Sequence, residues 1–242
     1  MTEKEKLEYF ENSEVNQKLL KLFESKRAAV DKVYNALQEE EEGAVLHLTC
    51  VPPNYEKMKY KILIVGKENN GWGYETEPKE SMLFTLEFQS NKFYDNAPFF
   101  SFPYSFCESI NDCDKEKYSK KSYLAWVNLR EFSFETSSRK PLNEKVQNII
   151  DNEFNILEEE IKIINPDIVL FLTGPDDDFY IEKQLKSVEF KTVENYDIRE
   201  FARVEHEALP KNSFRIYHPN RIRFIKEGYK KYLASLKKEC GL

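Results

Sequence analysis

Apolar residues recur at helical intervals near the start of the chain. Val15, Leu19, Leu22, Phe23, Val30, Val33, Tyr34 and Leu37 fall near three, four or seven positions apart within residues 14–42, which predicts an amphipathic helix or helix pair. The acidic run from Glu39 to Glu42 and Gly43 end it, and Pro52-Pro53-Asn54 marks a turn. The pattern then changes period. Ile62 to Val65 is a short, wholly apolar run that breaks at Gly66, and residues 123–129 and 167–172 are further runs that predict buried strands. Residues 77–90 predict a helix with Pro78 in its first turn and Met82, Leu83 and Leu86 on its inner face. Residues 143–164 predict the strongest helix, capped at Asn143 and closed by Asn165-Pro166. Strands near 189–193, 201–204 and 215–217 and a last helix over 221–237 complete the pattern, with a dense aromatic cluster at Pro98-Phe99-Phe100-Ser101-Phe102-Pro103-Tyr104.

Alternation of helices with short apolar strands predicts an α/β protein: a three-layer α/β/α sandwich around a mainly parallel central sheet. A length of 242 residues fits one domain. Residues 1–43 form an N-terminal helical extension and residues 60–242 the α/β/α core. No apolar stretch approaches the ~18–20 residues that span a membrane, and Met1-Thr2-Glu3-Lys4-Glu5-Lys6 leads into no apolar signal core, so a cytoplasmic protein is expected.

Cys50, Cys107, Cys113 and Cys240 are scattered, with no C-x-x-C pair, and are expected to be reduced thiols. With His47, His206 and His218 as the three imidazoles, no metal site is expected, and His47 and His206 read as structural or surface residues. The net charge of −7 argues against a general nucleic-acid coat protein. Its distribution is uneven, because residues 211–242 hold nine Lys or Arg against two Glu, a balance of +7, which leaves −14 on residues 1–210. A polyanion would meet its cations around and after His218, although a solvated basic helix face has the same composition.

Candidate chemistry sits at strand ends. The first strand runs into Gly66-Lys67-Glu68, and Phe214-Arg215-Ile216-Tyr217 runs into His218-Pro219. Ligands of open parallel sheets gather outside the carboxyl ends of the strands, so a carboxylate and an imidazole from two such ends can face one pocket. No G-x-S-x-G turn of an α/β hydrolase is present. In order along the chain stand Gly66-Lys67-Glu68, Val127-Asn128-Leu129, Leu172-Thr173-Gly174 and His218-Pro219. This ordered set resembles the strand-end motifs of the uracil-DNA glycosylase superfamily, from about Ile62 to the C-terminus.

The resemblance implies a uracil-DNA glycosylase-like fold that hydrolyses the N-glycosidic bond of uracil or another altered base in DNA. Cleavage builds positive charge on the sugar and negative charge on the departing base. Glu68 would orient water and stabilise the sugar cation, and His218 would donate a hydrogen bond to the leaving base. Asn128, whose amide carries donors and an acceptor, would read the base edge. Phe99 or Phe100 would stack on the base. Arg221 and Arg223 would clamp phosphates around an Ile222 wedge.

No metal or organic cofactor is implied; the expected partner is DNA, single-stranded or with a flipped base, met by a monomer without membrane association. Asn69 and Asn70 stand where the family carries a proline and a thymine-excluding tyrosine, Asn220 where it carries a serine, and Glu68 where it carries the shorter aspartate. The substrate base is therefore left open. The alternative is a catalytically inactive module of the same fold that binds a nucleotide, nucleic acid or protein.

Overall fold

The computed structural model describes residues 1–38, 44–69, 71, 77–134, 144–225 and 227–242. Its centre is a six-stranded sheet built from β2 (Ile62–Glu68), β3 (Ala125–Arg130), β5 (Ile168–Phe171), β6 (Glu189–Thr192), β7 (Phe201–Glu205) and β8 (Asn212–Ile216), in the order β3-β2-β5-β8-β7-β6. The first four strands in that order are parallel, and β7 and β6 extend the sheet by antiparallel pairing. A separate two-stranded ladder pairs β1 (Ala44–Leu46) with β4 (Phe132–Phe134). The fold is thus mixed α/β with a mostly parallel central sheet flanked by helices. Among the described residues no helix is long and apolar enough to cross a membrane.

Both faces of the parallel strands are buried, which explains their unbroken apolar sequences. Leu63, Val65, Val127, Val169 and Phe171 face one core, and Ile62, Ile64, Trp126, Leu170 and Phe214 face the other. The first core receives α2 (Glu14–Ser25), α3 (Arg27–Gln38), α4 (Pro78–Ser90), α6 (Glu144–Glu153) and α7 (Leu157–Ile164). The second receives α5 (Pro98–Ile110) and α10 (Gly228–Cys240).

The N-terminal segment holds three helices, since α1 (Glu3–Asn12) precedes the predicted region and the remainder breaks at Lys26. Thr2 and Glu5 form a capping box on α1, and Ser13 caps α2 by accepting from Asn16 N. Leu19, Phe23, Val30 and Val33 are wholly buried in the same core as the sheet. Asn16 fastens α2 to the segment before the sheet: its side chain accepts from Val51 N at 2.8 Å and donates to Val51 O at 3.0 Å. The predicted termination at 39–43 and the cap at Asn143 lie outside the described residues.

Two long predicted helices are each broken. The one over 143–164 becomes α6 and α7, because Phe154 and Ile156 turn into the core and the Asn155 side chain donates to Lys183 O. The one over 221–237 becomes α9 (Pro219–Ile222) and α10. Glu227 takes a left-handed φ of 56°, and a Cβ on Gly228 would lie 2.3 Å from Ile222 O, so the chain folds back too closely for any larger residue. The aromatic cluster forms α5, with Pro98 in its first turn and Pro103 inside it.

Asn16→Ala is expected to lower the unfolding free energy by ~1–3 kcal/mol, because Val51 N would lose its partner while buried. A denaturant titration reads this directly; an unchanged midpoint would show that the bond contributes nothing to the cooperative core.

Candidate active site

At the carboxyl ends of the parallel strands lies a pocket of about 430 Å³, lined by Lys67, Glu68, Asn69, Phe88, Tyr94, Ala97, Phe99, Phe100, Trp126, His218 and Asn220. That volume is in the range of small-molecule sites, ~300–1,000 Å³. Sequence-predicted Glu68, His218, Phe99 and Phe100 therefore meet in one place. Trp126 and Phe88 complete an aromatic wall that reading single strand ends missed.

The polar side of the pocket is a chain of charges. Glu68 lies opposite Arg130 in the β2–β3 register and pairs with its guanidinium at 3.0 Å. Arg130 is also 3.9 Å from Asp177, which pairs in turn with Lys67. Asp177 lies in the turn (Pro175–Asp177) that comes after β5 and Gly174, so three strand ends are joined electrostatically. Burial raises the Glu68 carboxyl above its ordinary value; Arg130 opposes that shift and Asp177 reinforces it.

His218 caps α9, its Nδ1 accepting from Asn220 N at 3.2 Å. A ring whose Nδ1 accepts carries its proton on Nε2. Burial, with a further contribution from Lys67, pushes the imidazole down to about 4, so it is neutral at ordinary pH and offers an uncharged N–H donor. The ring stacks on Phe99, with centroids 5.7 Å apart and planes at 22°.

Gly66 makes room for this arrangement. A Cβ there would come 2.4 Å from Asn128 Oδ1 and 3.0 Å from Phe99 Cζ. Glycine is required at this strand position by packing rather than by an unusual backbone angle.

Asn128 does not line the pocket. It is 2 % exposed, its Oδ1 accepts from the Trp126 indole N–H at 3.0 Å, and its Nδ2 is 3.4 Å from His47 Nδ1. The amide is occupied within the protein, which corrects the expectation that it reads a ligand edge. Its role is to hold Trp126, against which the His47 ring packs at 4.1 Å. Ile222 is likewise no wedge: it is wholly buried and anchors α9. Arg221 and Arg223 are exposed, their guanidiniums lying over Tyr217 and Phe224 respectively. Asn70 lies outside the described residues.

Behind Trp126 lies a buried ionisable cluster. His47 is burial-shifted to about 3, and its Nδ1 is 3.4 Å from Glu131 Oε2. Burial raises the carboxyls of Glu131 and Glu160 far above their usual range, and the proximity of Glu131 further disfavours ionisation of Glu160. Neither Glu160 oxygen has a hydrogen-bond partner among the described residues. The apolar run Val45-Leu46-His47-Leu48 was the available sequence signal that His47 is buried. Among the described residues no three His, Cys, Asp or Glu side chains converge as metal ligands.

No protein-family model and no curated protein matches this chain. The geometry of the pocket and the charges around it are therefore the guide to its chemistry.

A carboxyl whose folded-state pKa is raised stabilises the fold fully below its ordinary value of 4.5, and that contribution is lost as pH rises through the folded-state value. His47 and His218, shifted down, act oppositely and lose stability as pH falls below 6.5. Glu160→Gln is expected to match or exceed the parent in stability at about pH 8, with the difference closing toward about pH 5. Unfolding free energies measured across that interval test it; a Gln variant less stable at the alkaline end would contradict a protonated Glu160.

Proposed function

We propose that this chain has a uracil-DNA glycosylase-like fold and hydrolyses the N-glycosidic bond of an altered base in DNA. The observation that carries this reading is the convergence of Glu68 and His218 on one aromatic pocket at the ends of the first and last parallel strands. The aromatic wall suits a flat base drawn out of its stack. The Glu68 carboxylate, held by Arg130, orients water and stabilises positive charge developing on the sugar. The neutral His218 donates from Nε2 to negative charge developing on the departing base, a contribution that grows as the bound base excludes water from the site. The base is enclosed by Trp126, Phe88, Phe99 and Phe100 rather than read by Asn128.

A second reading is favoured by the Glu68–Arg130 ion pair, which already satisfies part of the carboxylate. A module of this fold that holds a base or nucleotide without cleaving it would bind altered-base DNA and release nothing.

Release of free base from oligonucleotides carrying uracil or other altered bases is the direct assay. Glu68→Gln is expected to slow release ~10²–10⁴-fold, and His218→Ala ~10²–10³-fold. If both variants released base at the parent rate, this mechanism would be wrong. The pH–rate profile supplies an independent check. The rate should rise with pH as Glu68 ionises, at a pH above the ordinary 4.5 of a glutamate, and His218, already neutral, should add no inflection of its own. An inflection near 6.5 that persists in Glu68→Gln and is lost in His218→Ala would remove the neutral His218 from the assigned role.

A further inference from the structure

Two aromatic rings stand in solvent on two different segments of the chain, each of which also contributes a residue to the pocket lining. Phe93 is 65 % exposed and packs edge-on against Tyr94, which lines the pocket. Phe224 is 79 % exposed and lies just beyond α9, whose Asn220 also lines the pocket. Isolated exposed apolar side chains are common on proteins. The construction beneath these two sets them apart.

The segment carrying Phe93 is fixed by a buried cation. Lys121, 1 % exposed, donates to Asn91 O at 2.9 Å, to Phe93 O and to Asp95 Oδ1 at 2.8 Å, which uses all three ammonium hydrogens. Asp95 also accepts from Ser119 Oγ at 2.7 Å and Lys120 N at 3.0 Å. Between them Tyr94 is held at a left-handed φ of 62°. This segment is thereby anchored while the Phe93 ring projects into water. On the other segment, wholly buried Ile222 anchors α9, Phe224 N donates to Arg221 O at 3.1 Å, and the Arg223 guanidinium covers the Phe224 ring at 4.7 Å. Arg221 and Arg223 are both exposed.

We infer that Phe93 and Phe224 are stacking platforms for unpaired bases of single-stranded DNA crossing the pocket mouth, with Arg221 and Arg223 on its phosphates. Exposed aromatic faces beside cations form the sequence-tolerant mode of single-strand binding. In a duplex both faces of each base are already stacked on neighbours, so these rings have no partner unless the stack opens, and the residue expected to open it, Ile222, is buried. The choice of DNA rests on the proposed glycosylase reading; the preference for unpaired bases rests on the two rings.

Fluorescence anisotropy with a labelled, unmodified oligonucleotide, single-stranded or in its matched duplex, tests this without any base release. The single strand should bind more tightly. Phe93→Ala and Phe224→Ala should each weaken it ~5- to 150-fold, the equivalent of one lost base stack. Arg221→Ala and Arg223→Ala should each reduce the slope of log affinity against log salt by ~0.7. Tighter binding of the duplex, or unchanged single-strand affinity in both Phe variants, overturns the inference. If single strands bind as expected while no altered base is released, the clamp stands and the glycosylase chemistry falls. If altered bases are released from duplex while single strands bind no more tightly, the chemistry stands and the clamp falls.

Discussion

Parallel pairing of β2 with β3 on one side and with β5 on the other directs three chain ends toward the same edge of the sheet. Parallel strands place all their carboxyl ends together, and the segments leaving those ends must share one space. Register then decides which groups meet. Glu68 falls opposite Arg130, and the turn after β5 brings Asp177 between Arg130 and Lys67. Alternating charges fix the polar side of the pocket, and they also keep an acidic side chain and a basic one from being buried alone. The same register sets Gly66 beside Asn128, and the missing Cβ admits Phe99 and the Asn128 amide.

Polar groups behind the aromatic wall are turned inward. Asn128 joins Trp126 to His47, and Glu131 and Glu160 are buried close by in a region where charge is disfavoured. Burial disfavours the charged forms of His47, Glu131 and Glu160, so polar groups stand behind the aromatic wall without adding net charge to it. The site thus divides its polar residues between two tasks: Glu68 and His218 face the cavity, and Asn128 and His47 hold its wall.

Strand identity was legible in the sequence because burial on both faces leaves unbroken apolar runs, as in Ile62 to Val65 and Ile168 to Phe171. The α/β class and the convergence of Glu68 with His218 derive from those runs and the residues that end them. Helix breaks were less legible. Apolar periodicity continues across Phe154 and Ile156, and the change of direction there is set by packing and by the Asn155 bond to a carbonyl 28 residues away. Ile222 carries the same ambiguity, since an apolar residue between two arginines is equally consistent with a wedge and an anchor until burial is known.

By itself the sequence determined which segments could be strands, which polar residues end them, and that basic charge gathers near the C-terminus. Local pattern suffices for these because side-chain period and composition act along the chain. Tertiary structure alone decided that Asn128 is occupied, that Arg130 and Asp177 belong with Glu68, and that Lys121 secures the segment carrying Phe93. Cys107 and Cys113, which show no pairing motif, likewise meet at 3.9 Å only in the fold. Each of these facts depends on a contact partner brought close by folding, and a hydrogen-bonding group's availability is settled by that partner rather than by its own residue type.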